Sequence, residues 1–198
     1  MLPHLNLDME KKTWGKREEY NPQITIVTAL FDGRQTGVPH STGVYDTAYV
    51  EKLYRGFKRN LTIPFEFICL VDKNYIFQED IKAVRFKRSV DQYGWMSLVE
   101  MYRPELCTGN RFTVGLDTII TGPIDDIVTS TVSKFAVCSD PMYTNKICNA
   151  ITLSTPEFCE EFWGMWEGNE DKLIPESKLI LENAAPKIGI YETLKEME

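Results

Sequence analysis

The chain has 198 residues, 43 % hydrophobic and 12 % aromatic, enough for one large α/β domain or two small ones around a sizeable core. A formal net charge of −7 argues against a nucleic-acid-binding surface as the main function. No apolar run reaches the roughly 20 residues that a membrane span needs. The opening residues lack the basic flank and apolar block of a signal peptide, so a cytoplasmic protein is expected.

Residues 1–22 are mixed in charge and aperiodic, and an N-terminal arm is expected there, with Trp14 docked on the domain. Residues 23–30 (Gln-Ile-Thr-Ile-Val-Thr-Ala-Leu) are dense in β-branched side chains and predict the first strand. The loop after it carries Gly33 and Gly37 but has neither the Gly-x-Gly-x-x-Gly spacing nor a P-loop. A helix over 46–60 follows from Val50, Leu53, Tyr54 and Phe57 at i, i+3, i+4 and i+7. Its Lys52, Arg55, Lys58 and Arg59 read as a solvated face whose last turn complements the helix dipole. A second strand over 65–72 ends in Asp72, a polar loop runs to Asp80, and a short strand is expected over 83–87. Trp95, Leu98, Val99 and Tyr102 then repeat the helical spacing, with Pro104 as the stop.

The stretch 111–122 (Arg-Phe-Thr-Val-Gly-Leu-Asp-Thr-Ile-Ile-Thr-Gly) reads as a buried strand carrying one acid, Asp117. A buried charge is costly unless something pairs with it. Asp117 therefore either serves a ligand site at the sheet edge or caps a turn at the strand end. A turn or short helix over 124–127, a strand over 135–140 ending in Asp140 and a strand over 149–153 come next. The last clear helix has Ser154 or Thr155 as N-cap, Pro156 in its first turn, and a core stripe of Phe158, Phe162, Met165 and Trp166. Beyond Gly168 the chain turns polar, with one weak element at 179–181.

Strands alternating with helices, with acids at successive strand ends, predict a doubly wound, mostly parallel α/β sheet. In such sheets ligands bind outside the carboxyl ends of the strands, which would bring Asp72, Asp117 and Asp140 to one rim. The only histidines are His4 and His40, so a zinc site or a Ser-His-Asp triad has little to work with. Cys69, Cys107, Cys138, Cys148 and Cys159 form no Cys-x-x-Cys pair, and their odd number argues against a secreted disulfide framework. Buried, reduced thiols are the expectation. What is left, carboxylates, hydroxyls and aromatics around a sheet edge, suits a hard cation, a diphosphate or a sugar.

The order of motifs resembles nucleotide-diphospho-sugar glycosyltransferases of the GT-A fold, of the family 8-like bacterial and phage type. The likeness rests on the strand at 24–30, Tyr-Val-Glu-Lys-Leu-Tyr-Arg-Gly over 49–56, the strand ending in Asp72, Gly94-Trp95, Glu-Met-Tyr-Arg-Pro-Glu-Leu over 100–106, and Gly-Leu-Asp-Thr over 115–118. It implies one GT-A-like nucleotide-sugar-binding domain over 23–170, with 171–198 a C-terminal tail truncated beside that family. The implied activity is transfer of a sugar from a nucleoside diphosphate sugar to a glycan or other acceptor, with a divalent cation, Mn²⁺ or Mg²⁺, as cofactor. By the same resemblance Thr28 and Ala29 would line the base pocket, Asp72 would meet base or ribose, and Asp117 would be the second acid of an Asp-x-Asp motif, holding the cation and the ribose. The chain departs from the pattern in having Gly115 at the first acid, Leu98 where many relatives have Lys, and no His after His40. These departures weaken the expected metal dependence and leave open a non-catalytic nucleotide-sugar-binding protein. A nucleotidyltransferase, sharing the sheet architecture, would need a Gly-rich basic loop that Gly33-Arg34 only faintly supplies.

Overall fold

The structure, a computed structural model, describes residues 24–32, 45–130, 132–140, 147–169 and 191–193. The expected arm with Trp14, the loop from Gly33, both histidines, the element at 179–181 and the Trp95 side chain lie outside the described residues.

Seven strands form one sheet: β1 (Ile24–Leu30), β2 (Phe65–Val71), β3 (Lys82–Arg85), β4 (Arg111–Val114), β5 (Phe135–Ser139), β6 (Ile147–Ser154) and β7 (Tyr191–Thr193), in the order 3-2-1-4-6-5-7. β1 and β2 pair in parallel along their full lengths, from Ile24 opposite Phe65 to Leu30 opposite Val71. β6 alone runs antiparallel to its neighbours, β4 and β5. The carboxyl ends of β1, β2, β4 and β5 therefore share one edge, as expected for a mostly parallel doubly wound sheet. β7 adds an edge strand from the stretch expected to be a tail.

Both faces are covered, which is why β1 and β2 read as continuous apolar runs. On one face Ile24, Ile26, Leu30, Phe67, Phe112 and Val114 meet α1 (Thr47–Asn60), whose Val50, Leu53, Tyr54 and Phe57 are buried. Asp46 caps that helix by accepting the Ala48 amide at 2.9 Å. On the other face Val27, Ile68, Leu70, Phe135 and Val137 meet α4 (Pro156–Trp166) and the residues around Tyr102. Phe158 of α4 stacks on Phe135 at 4.3 Å between centroids. Thr155 is the N-cap, accepting the Phe158 amide at 3.3 Å. Thr155→Ala is expected to lower stability by about 1 kcal/mol, within a range of roughly 0.5–2, measured by denaturant unfolding. Among the described residues no helix is long and apolar enough to cross a membrane.

Two expected elements come out differently. The helix around Trp95 is a 3₁₀ segment over Gly94–Tyr102, preceded by the short α2 (Val90–Tyr93). Gly94 ends α2 at φ 56°, a conformation that glycine adopts without strain, and Met96, Val99 and Tyr102 recur every third residue. β4 stops at Val114 instead of running on to Gly122. The Gly115 amide still bonds the Ala150 carbonyl, but Thr118 then bonds back to Gly115 and the chain leaves the sheet. Asp117 is consequently exposed on a turn rather than buried in a strand.

Candidate functional site

The carboxyl rim holds acids directly after three parallel strands: Asp32 beyond β1, Asp72 beyond β2 and Asp140 beyond β5; Asp117 stands on the turn beyond β4. Asp72 is anchored from two sides. Its carboxylate accepts the Asp32 amide at 3.3 Å and the Tyr75 hydroxyl at 3.1 Å, tying the end of β1 to the loop after β2. Burial, then the Asp72 charge and its hydrogen bond, and then the Asp32 charge push the Tyr75 phenol up to about 12. Because its folded value lies above the ordinary 10.0, Tyr75 favours the folded state below about pH 10 and loses that contribution as pH rises towards 12. Asp72→Asn removes the charge but not the burial. Tyr75 should then ionise at lower pH, though still above 10, as read from the phenolate absorbance difference between variant and wild type. An unchanged titration would mean that the Asp72–Tyr75 contact does not form in solution.

Asp117 faces a second phenol. Burial raises the Tyr45 pKa, with the Asp117 charge next in importance and Tyr49 third. Tyr45 packs edge-on against Tyr49 at 5.0 Å, just before and within the first turn of α1. Among the described residues no hydrogen bond joins Asp117 to Asp72: hydrogen bonds link Asp32, Asp72 and Tyr75, whereas Asp117 acts on Tyr45 through its charge.

Thr28 and Ala29 sit on opposite faces of β1. Thr28 is fully buried on the α1 side, two residues short of the strand end, and among the described residues its hydroxyl has no hydrogen-bond partner. Ala29 is half-buried and packs towards the α4 side. Leu98 packs partly buried against that same core, where many relatives of the resembled family carry Lys. Tyr75, Tyr45 and the Asp32 amide are rim elements that no periodicity or motif marks. An aromatic three residues after a strand-end Asp was the available signal for Tyr75.

The space around Gly115 bears on cation binding. A Cβ there would lie 2.8 Å from Asp117 Oδ1 and no closer than 3.8 Å to any other group, so the Asp117 carboxylate folds back over the position of the missing first acid. Among the described residues no group of three or more His, Cys, Asp or Glu side chains is placed to hold a metal ion. At the Gly115 position a cation would thus meet one carboxylate, Asp117, and most of a coordination shell of about six oxygens would have to come from elsewhere, phosphate and water included. Beyond Thr118 a cleft of about 780 Å³ opens on the α1 face, walled mainly by apolar side chains such as Phe112, Ile119, Ile127 and Ile151.

No protein-family model matches the chain, and no curated protein matches it. Solved structures do. The glycosyltransferase GlyE of Streptococcus pneumoniae TIGR4 superposes with a TM-score of 0.56 at 10% identity, over 89% of this chain and 46% of GlyE. Its apo form gives 0.58 at 9% identity, over 87% and 45%. The galactosyltransferase LgtC, in complex with donor and acceptor sugar analogues, gives 0.55 at 10% identity, over 85% of this chain and 72% of LgtC. This chain spans about half the length of GlyE. At such identities the likeness is one of fold: a mostly parallel sheet with flanking helices, like that of the GT-A-like α/β glycosyltransferases.

Proposed function

We propose that the chain is a glycosyltransferase that moves a sugar from a nucleoside diphosphate sugar to an acceptor hydroxyl, on a glycan or another molecule. The observation that carries the proposal is a GT-A-like sheet with Asp72 and Asp117 at its carboxyl edge, the edge where open α/β sheets bind ligands. LgtC is seen with donor and acceptor sugar analogues, which supports the same pair of partners here.

In this account the nucleoside lies over the ends of β1 and β2. Ala29, half-buried, offers the end of β1 as a surface for the base, whereas Thr28 is fully buried on the opposite face and stands back from it. Asp72, already fixed by Tyr75 and the Asp32 amide, presents a carboxylate to base or ribose hydroxyls. Asp117 is the residue that would hold Mn²⁺ or Mg²⁺ at the diphosphate. Such a cation, when bound, neutralises the charge that develops on the leaving diphosphate. In the transfer the bond from the sugar's anomeric carbon to the diphosphate oxygen breaks, a bond to the acceptor oxygen forms, and the nucleoside diphosphate leaves with the electron pair. With one protein carboxylate at the ion, metal dependence is weakened relative to a full Asp-x-Asp pair.

A thermal-shift panel of nucleoside diphosphates and their sugars, with and without Mn²⁺, tests the proposal. A specific donor should raise the midpoint by mass action, by the equivalent of about 2.7 kcal/mol at a hundredfold excess over its dissociation constant. A panel in which no nucleotide shifts the midpoint contradicts it.

A further inference from the structure

Cys138 of β5 and Cys148 of β6 stand directly opposite each other in an antiparallel ladder, at the first pair after the register shifts between Val137 and Cys138. Val137 still pairs with Thr152, so the β6 residues 149–151 have no partner on β5. They are held from the other side, where Ile151 pairs with Val114 and the Ala150 carbonyl accepts the Gly115 amide at 2.9 Å. The shift also turns β6 over. Ile151 and Leu153 belong to the α1 face, whereas Ile147 packs on the α4 side, so Cys148 returns to the α1 face. Cys138 is on that face too, lining the cleft beside Ile151.

Directly opposed residues of an antiparallel pair share a face, with Cα atoms about 4.5–5.5 Å apart. That lies within the roughly 4.4–6.8 Å a disulfide spans. Both thiols are reduced in the structure and half-buried, within reach of a small reagent. Cys69 and Cys159 are the contrast: fully buried, with thiols pushed up by desolvation, they hold little of the reactive thiolate.

We propose that Cys138 and Cys148 form a reversible cross-strand disulfide that clamps β6 beside the Asp117 turn. The oxidant is a small-molecule disulfide of the glutathione class. One protein thiolate attacks it, forming a mixed disulfide and expelling the first glutathione thiolate. The second protein thiolate then attacks the protein sulfur of that mixed disulfide and expels the second. The two protons lost by the cysteines end on the two released thiols, so two protein thiols are oxidised as one disulfide is reduced. The bridge closes a ring over residues 138–148. Since Ala150, two residues on, holds the amide of Gly115, fixing this end of β6 also restrains the turn that carries Asp117.

The full chain, incubated natively with oxidised glutathione, alkylated and mapped by peptide mass spectrometry, gives the test. Expected are a linked peptide pair containing Cys138 and Cys148, loss of two titratable thiols, and full reversal by dithiothreitol. Cys107→Ser should leave this pattern unchanged, and Cys138→Ser should instead yield a lasting glutathione adduct on Cys148. Hydrogen exchange reads the clamp separately: the Gly115 amide should exchange more slowly in the oxidised form than in the reduced form. Lasting glutathione adducts on both cysteines of the wild type, bridges to other cysteines or disulfide-linked dimers overturn the disulfide, and unchanged Gly115 exchange overturns the clamp.

Discussion

Glu100→Ala is expected to destabilise the fold by about 3–5 kcal/mol, the usual effect of removing one member of a buried ion pair. Glu100 is 0% exposed and its carboxylate accepts three donors: the Lys87 amide at 2.6 Å, the Arg88 amide at 2.7 Å and Arg103 Nη1 at 3.1 Å. It thereby fixes the loop after β3 onto the 3₁₀ segment. Phe86 in that loop packs edge-on against Phe31 at the end of β1, at 5.9 Å. Alanine would leave two amides without their acceptor and Arg103, 3% exposed, without the buried one of its two carboxylates, the exposed Glu105 at 3.6 Å remaining. Glu100→Gln should be far milder. Burial pushes the Glu100 carboxyl above its ordinary 4.5, with the two amides, Arg103 and Arg88 pulling the other way. A raised folded value means that this group's contribution is complete below about pH 4.5 and declines as pH rises through the raised value. The charged form is therefore the less favourable one for folding, and a glutamine oxygen at the Oε2 position can still accept from the Lys87 amide and Arg103, while its NH2 group loses the bond from the Arg88 amide. Denaturant unfolding of the three proteins across pH checks both statements. An alanine variant within about 1 kcal/mol of wild type would mean that the network is not formed.

The second large effect concerns Gly115. Gly115→Asp should tighten divalent-cation binding in the presence of nucleoside diphosphate by about one to two decades, from the roughly 1.5–3 kcal/mol of an added charged interaction. The backbone accepts the change. A new Cβ would meet only Asp117 Oδ1, the mobile end of a side chain that can swing outward, and the next group stands 3.8 Å away. Calorimetric titration of Mn²⁺ into the nucleotide-saturated variant and wild type measures the difference. Equal affinities would argue that the ion does not sit between these two positions.

Much of the architecture could be read in the sequence because its core strands are buried on both faces. β1, β2 and α1 declare themselves through unbroken β-branched runs and a clean helical stripe, and α4 through Thr155, Pro156 and its aromatic residues. β4 was over-extended for a physical reason. Thr118, Ile119 and Ile120 have strand-like side chains, yet among the described residues no partner continues the ladder beyond the Gly115 amide, and Ile119 ends 83% exposed. Composition registers β preference, whereas the end of a strand depends on what lies beside it. The 3₁₀ segment escaped for a related reason: Leu98, Val99 and Tyr102 fit an α-helical spacing, while the positive φ of Gly94 and the Glu100 network arise only in three dimensions. At the rim Asp72 ends its strand as expected, whereas Asp117, expected inside a strand, stands on the turn beyond β4. The Tyr75 and Tyr45 contacts that hold or face them come from loops and a helix start, where no periodicity gives direction.

Nucleotide affinity with and without Mn²⁺, measured by calorimetry on wild type and Asp117→Asn, tests the central claim most directly. In wild type, Mn²⁺ should bind weakly alone and tightly with nucleoside diphosphate, each strengthening the other by the same factor. Asp117→Asn should abolish the metal-dependent part of nucleotide binding and leave the metal-free part intact, because Asp72 and the end of β1 are untouched. If Asp117→Asn binds nucleotide as tightly as wild type with Mn²⁺ present, Asp117 is not the residue that meets the cation, and the account of this site is contradicted.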